Sequence, residues 1–318
     1  MVGFQEVLQA SETLKDHIVR TPVVRAVGLE PYFHGAEIYL KLENFQRTGS
    51  FKFRGATNKI LNLSPQEMKN GVIAASSGNH GQAVAYAAHQ LGVKATIVMP
   101  ENAPQIKVNR ARSFGAEVIL CGFTGDDREE KAFQLVKETG GYFIHSHADP
   151  YVIAGQGTAA LEILQDIPDL DELVTPLGAG GLICGTVIAA AGMSKTVHVT
   201  AVEPKGVPRM SESFKVGHPV CVEMGQTLAD GLRVGRAEQI NFDVLRAYPP
   251  EIVLHGDEHI LEMMRILLLD QKIVAEPSST IALAAALDGK IDTSKGRKVC
   301  FVISGGNVDA STLGELVK

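Results

Sequence analysis

Apolar residues recur along the chain with two distinct periods. Phe4, Val7, Leu8, Leu14 and Ile18 fall at helical spacing with polar residues between them, and Thr21-Pro22 closes the segment, so residues 4–18 are predicted as a helix. Ile38–Leu42 predicts a strand and Arg54–Leu63 a helix beyond a glycine-serine turn. From Gly71 a regular alternation begins. Strands are predicted at Val72–Ala75, Ala95–Met99, Glu117–Cys121 and Tyr142–Ile144, with helices at Gln82–Leu91, Pro104–Phe114 and Asp127–Glu138 between them. Past Asp149 the same grammar gives helices at Ala154–Leu164 and Leu182–Ala191 and strands at Leu173–Pro176 and Val197–Val202. Helices at His259–Leu269 and Thr280–Leu287 and a strand at Val299–Ile303 follow. Short β-rich runs alternating with helices imply an α/β protein whose parallel sheets are covered by helices on both faces. Breaks near residues 70 and 148 suggest a large domain of 1–70 plus 149–318 and a smaller one of 71–148.

Composition narrows the partners. Thirty Lys and Arg against 36 Asp and Glu leave a net charge of −6, which argues against a nucleic-acid or anionic-membrane surface, since both need a basic stripe. No apolar run approaches a membrane span. The first nineteen residues lack the apolar stretch of a secretory signal. Cys121, Cys184, Cys221 and Cys300 show no CxxC spacing, so they are expected to be reduced, buried thiols in a cytoplasmic protein.

Three glycine-rich polar loops follow predicted strands: Ser76-Ser77-Gly78-Asn79-His80-Gly81, Gly178-Ala179-Gly180-Gly181 and Ser304-Gly305-Gly306-Asn307. The second is the clearest anion site, because small residues let backbone N–H groups approach a phosphate and the next helix adds its positive end. It is not the dinucleotide fingerprint, since Ile183 stands where GxGxxG needs glycine. No P-loop, GxSxG elbow or HExxH helix occurs. His145, His147, His255 and His259 are therefore expected to be structural or solvated, and no metal site is expected. Asp257 and Glu258 are expected in the first turn of a helix. Lys52 lies between Phe51 and Phe53 at a predicted helix start. Burial and the helix N-terminus both disfavour a charged ammonium there, which would make this lysine nucleophilic.

Together these segments resemble the fold-type II pyridoxal phosphate enzymes of the serine/threonine dehydratase and serine racemase family. The motifs that carry the resemblance are Lys41-Leu42-Glu43-Asn44-Phe45-Gln46, Gly49-Ser50-Phe51-Lys52-Phe53-Arg54-Gly55-Ala56, the Ser76–Ala83 loop, Ile153-Ala154-Gly155-Gln156-Gly157-Thr158, Ala229-Asp230-Gly231, Glu276-Pro277 and the Ser304–Asn307 loop. They stand in family order over nearly the whole chain. The resemblance implies a tryptophan synthase beta-like fold in which the small domain closes over the substrate. It implies that Lys52 holds the pyridoxal phosphate covalently and later takes the substrate's α-proton. Phe51 would pack on the pyridine ring, Asn79 bond the phenolic oxygen and Ser304 face the pyridine nitrogen, with Glu276 also beside the cofactor. Gly178, Ala179, Gly180, Gly181 and Leu182 would donate N–H groups to the phosphate, with Ala179 a departure from the family's four glycines. Ser76, Ser77, Gly78, Asn79 and His80 would grip the substrate carboxylate, and Arg128 aligns with a substrate-side arginine of the racemases.

The implied activity is dehydration of a small β-hydroxy amino acid, L-threonine or L-serine, to a 2-oxo acid and ammonia. Serine racemase with side elimination is the alternative, because Ser77 matches the racemases' second acid/base. Dehydratases of 3-hydroxyaspartate or β-phenylserine share the same motifs. A nicotinamide oxidoreductase would need the missing GxGxxG, and a non-catalytic binding protein would not need Lys52 in its full motif. The racemases' divalent-cation site matches at Glu203, but Arg209 stands six residues later. Its guanidinium would repel a divalent ion and pair with Glu203 instead, although Glu203 could still help bind a monovalent cation. Val234 stands where the racemases tend to have a serine. No regulatory domain is expected in Val308–Lys318, and a homodimer or homotetramer is the family's usual assembly.

Overall fold

The β-branched and apolar runs pair side by side into two separate sheets. The structure is a computed structural model that describes residues 2–194 and 196–318. The strands are β1 Val23–Arg25, β2 Glu37–Leu42, β3 Val72–Ala75, β4 Ala95–Met99, β5 Glu117–Leu120, β6 Tyr142–Phe143, β7 Glu172–Pro176, β8 His198–Pro204, β9 Glu251–His255 and β10 Lys298–Ile303. One sheet has the order β1-β2-β10-β7-β8-β9 and the other β5-β4-β3-β6. All pairings are parallel except β1 with β2. The expected α/β architecture with two parallel sheets is present, and the four-stranded sheet draws only on residues 72–143.

Strand β10 shows why the larger sheet reads as a continuous apolar run. Its Cys300 and Val302 point into a core with Ile153, Leu173 and Ile183. Its Val299, Phe301 and Ile303 point into a second core with Ile38, Met263 and Ile281. A strand with period-two side chains and helices on both faces has no solvent side to make polar. The four-stranded sheet has its own core of Val72, Ala74, Val84 and Ile97, and helix Lys52–Leu61 contributes Phe53, Ala56 and Ile60 to it.

That helix also crosses helix Pro150–Asp166 at very short range. A Cβ on Gly155 would lie 2.8 Å from the Gly55 Cα, and one on Gly185 would lie 2.4 Å from the Gly157 backbone nitrogen. Glycine is needed at these crossings because any side chain would push the backbones apart. Helix Pro150–Asp166 thus carries on its flanks both the Lys52 helix and helix Gly181–Met193, which follows the second glycine loop. It starts sharply, with Asp149 accepting from Tyr151 N at 2.8 Å and Val152 N at 3.2 Å, and Pro150 next to that cap.

Several elements differ from the sequence pattern. The first helix ends at Leu14, not at residue 18. Strand β1, helices Arg209–Val216, Gln239–Ala247 and Ala310–Leu316, and strand β9 were not predicted. They are short, polar or at a sheet edge, where half-buried residues leave no clean period. Asp257 is not in a helical first turn, because the helix begins at Ile260; its carboxylate accepts from Thr227 Oγ1 at 2.7 Å and Leu228 N at 2.9 Å. His255 and His259 do have structural partners, both meeting Asp288, at 2.8 and 3.2 Å. The four thiols are free, but only Cys184 and Cys300 are buried, while Cys221 is exposed.

Candidate active site

The three glycine loops all leave the carboxyl ends of parallel strands, β3, β7 and β10, and meet around Lys52. Ser50 forms an isolated bridge with Gly305, and Phe51 N donates to Ser304 O at 2.9 Å. The turn before Lys52 is therefore tied to the loop after β10. Lys52 Nζ donates to Ser146 O at 2.9 Å and lies 5.3 Å from the centroid of the Phe51 ring. Burial pushes its pKa down to about 8, as an ammonium loses hydration without gaining a carboxylate partner.

Asn79, first residue of helix Asn79–Gln90, donates through Nδ2 to Glu276 Oε1 at 2.8 Å. Its Oδ1 accepts from Asn307 Nδ2 at 2.7 Å, and Asn307 N donates to Glu276 Oε2 at 3.2 Å. The first and third loops are thus joined by side chains. Burial, with Asp230 nearby, raises the Glu276 pKa to about 7. Ser304 Oγ and Ser279 Oγ are 3.0 Å apart, and Ser279 also bonds both the N–H and the carbonyl of Gly305. Ser76 Oγ accepts from Gly78 N at 3.2 Å. His80 donates through Nε2 to Ile144 O at 2.9 Å, and burial followed by the Lys52 charge lowers its pKa to about 3, so it is a neutral donor.

The second loop caps helix Gly181–Met193. Gly180 has φ +102°, in the left-handed region that favours glycine, and Leu182 is buried in the large core. A Cβ on Gly180 would meet Asn241 at 3.2 Å, and one on Gly181 would meet His147 at 3.2 Å. Ala179 changes none of the backbone N–H donors.

The structure brings the histidine pair to the site. His145 and His147 flank Ser146, whose carbonyl receives the Lys52 hydrogen bond. The bend at 146–149 turns both rings to one side, 4.5 Å apart and edge-on. Glu238 brings a carboxylate oxygen so that one atom of each of the three residues lies within 4.8 Å of the others. The HxH spacing was legible in the sequence, but no spacing linked it to Glu238. Ser146 and Ser279 were missed as well, the first because its carbonyl, which meets Lys52, carries no side-chain signal. Ser77 and Arg128 form no side-chain hydrogen bond among the described residues. Arg128 is on helix Gly125–Thr139 with its Nε buried and without a partner, and burial lowers its pKa. Glu203 accepts from Met210 N, Ser211 N and Ser211 Oγ at 2.7 to 2.9 Å, and Arg209 Nη1 lies 3.8 Å from it. Val234 meets Arg209 through its carbonyl, at 3.1 Å.

These residues fit pyridoxal phosphate. Lys52 supplies an amine with a lowered pKa, Asn79 and Ser304 supply hydrogen-bonding groups from the first and third loops, and the second loop supplies N–H groups at a helix N-terminus. Next to that loop, His147 Nε2 and Arg209 Nε and Nη2 are buried without partners among the described residues.

Comparison with known proteins agrees. The family described as pyridoxal-phosphate dependent enzyme matches residues 14–305. An L-threonine ammonia-lyase of Thermotoga maritima is 43% identical over 317 residues, covering 100% of this chain and 78% of the relative. An L-threo-3-hydroxyaspartate ammonia-lyase of Saccharomyces cerevisiae is 40% identical over 314 residues, covering 99% and 96%. The structure of maize serine racemase superposes with a TM-score of 0.93 at 33% identity, covering 99% of this chain and 97% of that one. With a buried lysine next to glycine loops and likeness along its whole length, this chain belongs to the family of pyridoxal-phosphate dependent enzymes.

Proposed function

We propose that this enzyme is an ammonia-lyase acting on a small β-hydroxy amino acid, with L-threonine or L-serine as substrate. The observation that carries this reading is Lys52, an amine with a pKa brought down to about 8 beside the loop Ser76–His80. The names of the relatives narrow the substrate class. Pyridoxal phosphate, when bound, supplies an electron sink for the substrate's α-carbon.

The chain's own residues account for the rest. The Ser76–His80 loop offers N–H groups at the start of helix Asn79–Gln90 to the substrate carboxylate. Lys52 takes the α-proton and passes it to the departing hydroxyl, so that the Cβ–O bond breaks, water leaves and the amine is returned to its free form. The product enamine becomes an imine, and water converts it to the 2-oxo acid and ammonia. Phe51 packs against one side of the reacting group, and Ser304, held by Ser279, offers a neutral hydroxyl to the pyridine nitrogen. Residues 71–148 form the smaller unit that closes over the substrate. The four free thiols support a reducing, cytoplasmic setting.

Two specific observations support other readings. The Ser77 hydroxyl has no hydrogen bond to another described residue, which suits an acid/base on the face opposite Lys52 and hence racemisation. The hydroxyaspartate relative and the partnerless Arg128 Nε suit a substrate with a second carboxylate. Product analysis separates them. The pure holoprotein is incubated with L-threonine, L-serine and L-threo-3-hydroxyaspartate, and 2-oxo acids are resolved from D- and L-amino acids. The expected result is oxo acid as the main product, formed fastest from L-threonine. D-serine formed at a rate comparable to oxo acid would replace this reading with the racemase.

A further inference from the structure

A fully buried guanidinium stands next to the second glycine loop with more than half of its five N–H donors unspent. Arg209 opens helix Arg209–Val216 and is 0% exposed. Its Nη1 side is engaged, donating to Val234 O at 3.1 Å and lying 3.8 Å from Glu203. Nε and Nη2, the opposite edge, have no partner among the described residues. Glu203 does not need that edge, because both its oxygens already accept hydrogen bonds from the start of the same helix. An Nε–Nη2 edge presents two parallel N–H groups, the arrangement that grips two oxygens of a phosphate or carboxylate. Leaving such donors buried and unpaired is costly.

What lies around it indicates which anion. Leu177 N, directly before the loop, donates to Val202 O at 2.7 Å, so Glu203 and the Arg209 beside it lie next to the loop, and Cys184 lies in the first turn of helix Gly181–Met193. Cys184 packs on Asn241, with Nδ2 to Sγ at 3.5 Å, and Asn241 backs Gly180 of the loop. At the next residue of the loop stands His147, 8% exposed, with its Cα and Cβ against Gly181. Its Nδ1 pairs with Ser146 Oγ at 2.8 Å, and its Nε2 is buried without a partner. Burial, then the charges of His145, Lys52 and Arg209, hold the His147 imidazole well below its ordinary pKa. The Ser146 hydroxyl can donate to Nδ1, and in that tautomer the neutral ring carries its hydrogen on Nε2 and donates there. Asn241 Nδ2, which donates to His147 O at 3.3 Å, fixes this segment against the loop.

We propose that Arg209, through its Nε–Nη2 edge, and His147, through Nε2, bind the phosphate of the cofactor. They add a permanent charge and a side-chain donor to a loop that otherwise offers backbone N–H groups alone. The proposal rests on the pyridoxal phosphate reading and is independent of which amino acid is deaminated.

The test compares two aldehydes that differ only in the phosphate. Resolved wild-type protein and the variants Arg209→Lys and His147→Phe, each checked for native circular dichroism, are titrated with pyridoxal phosphate and with pyridoxal. Binding is followed by absorbance. The expected result is that each variant binds pyridoxal phosphate at least tenfold more weakly while its affinity for pyridoxal is unchanged. Equal losses for both aldehydes would show a merely structural role, and unchanged affinities would show no contact; either overturns the proposal. Should Arg209→Lys fail to fold, His147→Phe decides the matter, because it leaves the Arg209–Glu203 pair intact. The phosphorus resonance of the bound cofactor gives a second readout, expected to move in His147→Phe relative to wild type. Failure to deaminate any amino acid would overturn the ammonia-lyase reading and leave these binding results standing.

Discussion

Lys52→Ala is expected to lose the visible absorbance of the bound cofactor and to lower turnover by more than about 10³-fold, since one side chain both anchors the cofactor and moves the α-proton. Retained absorbance together with retained turnover would remove Lys52 from the chemistry. The wild-type lysine should show its environment in a pH profile. The unprotonated amine is the form that attacks an aldehyde, and burial lowers its pKa from 10.5 to about 8. Capture of pyridoxal phosphate by the resolved protein should therefore accelerate as pH rises through about 8 and level off above it. A midpoint near the ordinary value would mean that the amine is solvated. The linkage has a definite sign: between about 8 and 10.5 the folded state binds fewer protons at Lys52 than the unfolded chain does. This residue's contribution to the stability of the cofactor-free protein thus becomes more favourable as pH rises across that window.

The second large effect concerns Arg54, two residues along the same helix. Its guanidinium is fully buried and bonds Glu43 at 2.8 Å and Glu162 at 2.7 Å, while Lys41 holds Glu162 at 2.5 Å and donates to Thr21 O at 2.7 Å. Two bases and two acids from β2, the turn after it and two helices neutralise one another out of water. Burial pushes the Glu43 pKa up, but the charge of Arg54 and its hydrogen bonds pull it lower still, below the usual carboxylate range. Arg54→Met removes one partner and leaves carboxylates buried and under-compensated, a change that costs about 3–5 kcal/mol. A fall of several degrees in calorimetric melting temperature is expected, with weaker cofactor retention because the Lys52 helix loses its anchor. The exposed pair Arg20–Asp166, 2.5 Å apart, is the control: Arg20→Met should cost no more than about 1 kcal/mol. Equal effects of the two substitutions would show that the buried network does not hold this helix.

Much of the fold was written in local patterns. Strands β3, β4 and β7, and helices such as Pro150–Asp166, lie within a few residues of where the apolar periods put them. Their caps are local as well, as with Asp149-Pro150. The elements that were not legible, such as helix Arg209–Val216 and strand β9, owe their place to partners outside their own apolar pattern. Glu203 bonds the first turn of the former, and β8 pairs with the latter. The same divide runs through the site. Lys52, Asn79, Ser304 and the loop at Gly178–Gly181 stood out because glycine loops and a lysine between aromatics are short-range signals. Glu238 beside the histidine pair and the unspent edge of Arg209 carry no such signal. A lone HxH reads as bland, and the sequence offered Arg209 only as a partner for Glu203.

The sequence by itself determined the class of protein, the parallel sheets, the three ligand loops and the lysine among them. These depend on periodicity, turn chemistry and residues adjacent in the chain. Only the tertiary structure decided which loops face one another, that His145 and His147 stand beside Lys52, and that Arg209 is buried next to the second loop. Distances between residues far apart in the chain, and the loss of water around a charge, arise only when the two sheets and the helices between them pack together. A side chain's pKa and its lack of a partner are properties of that packing.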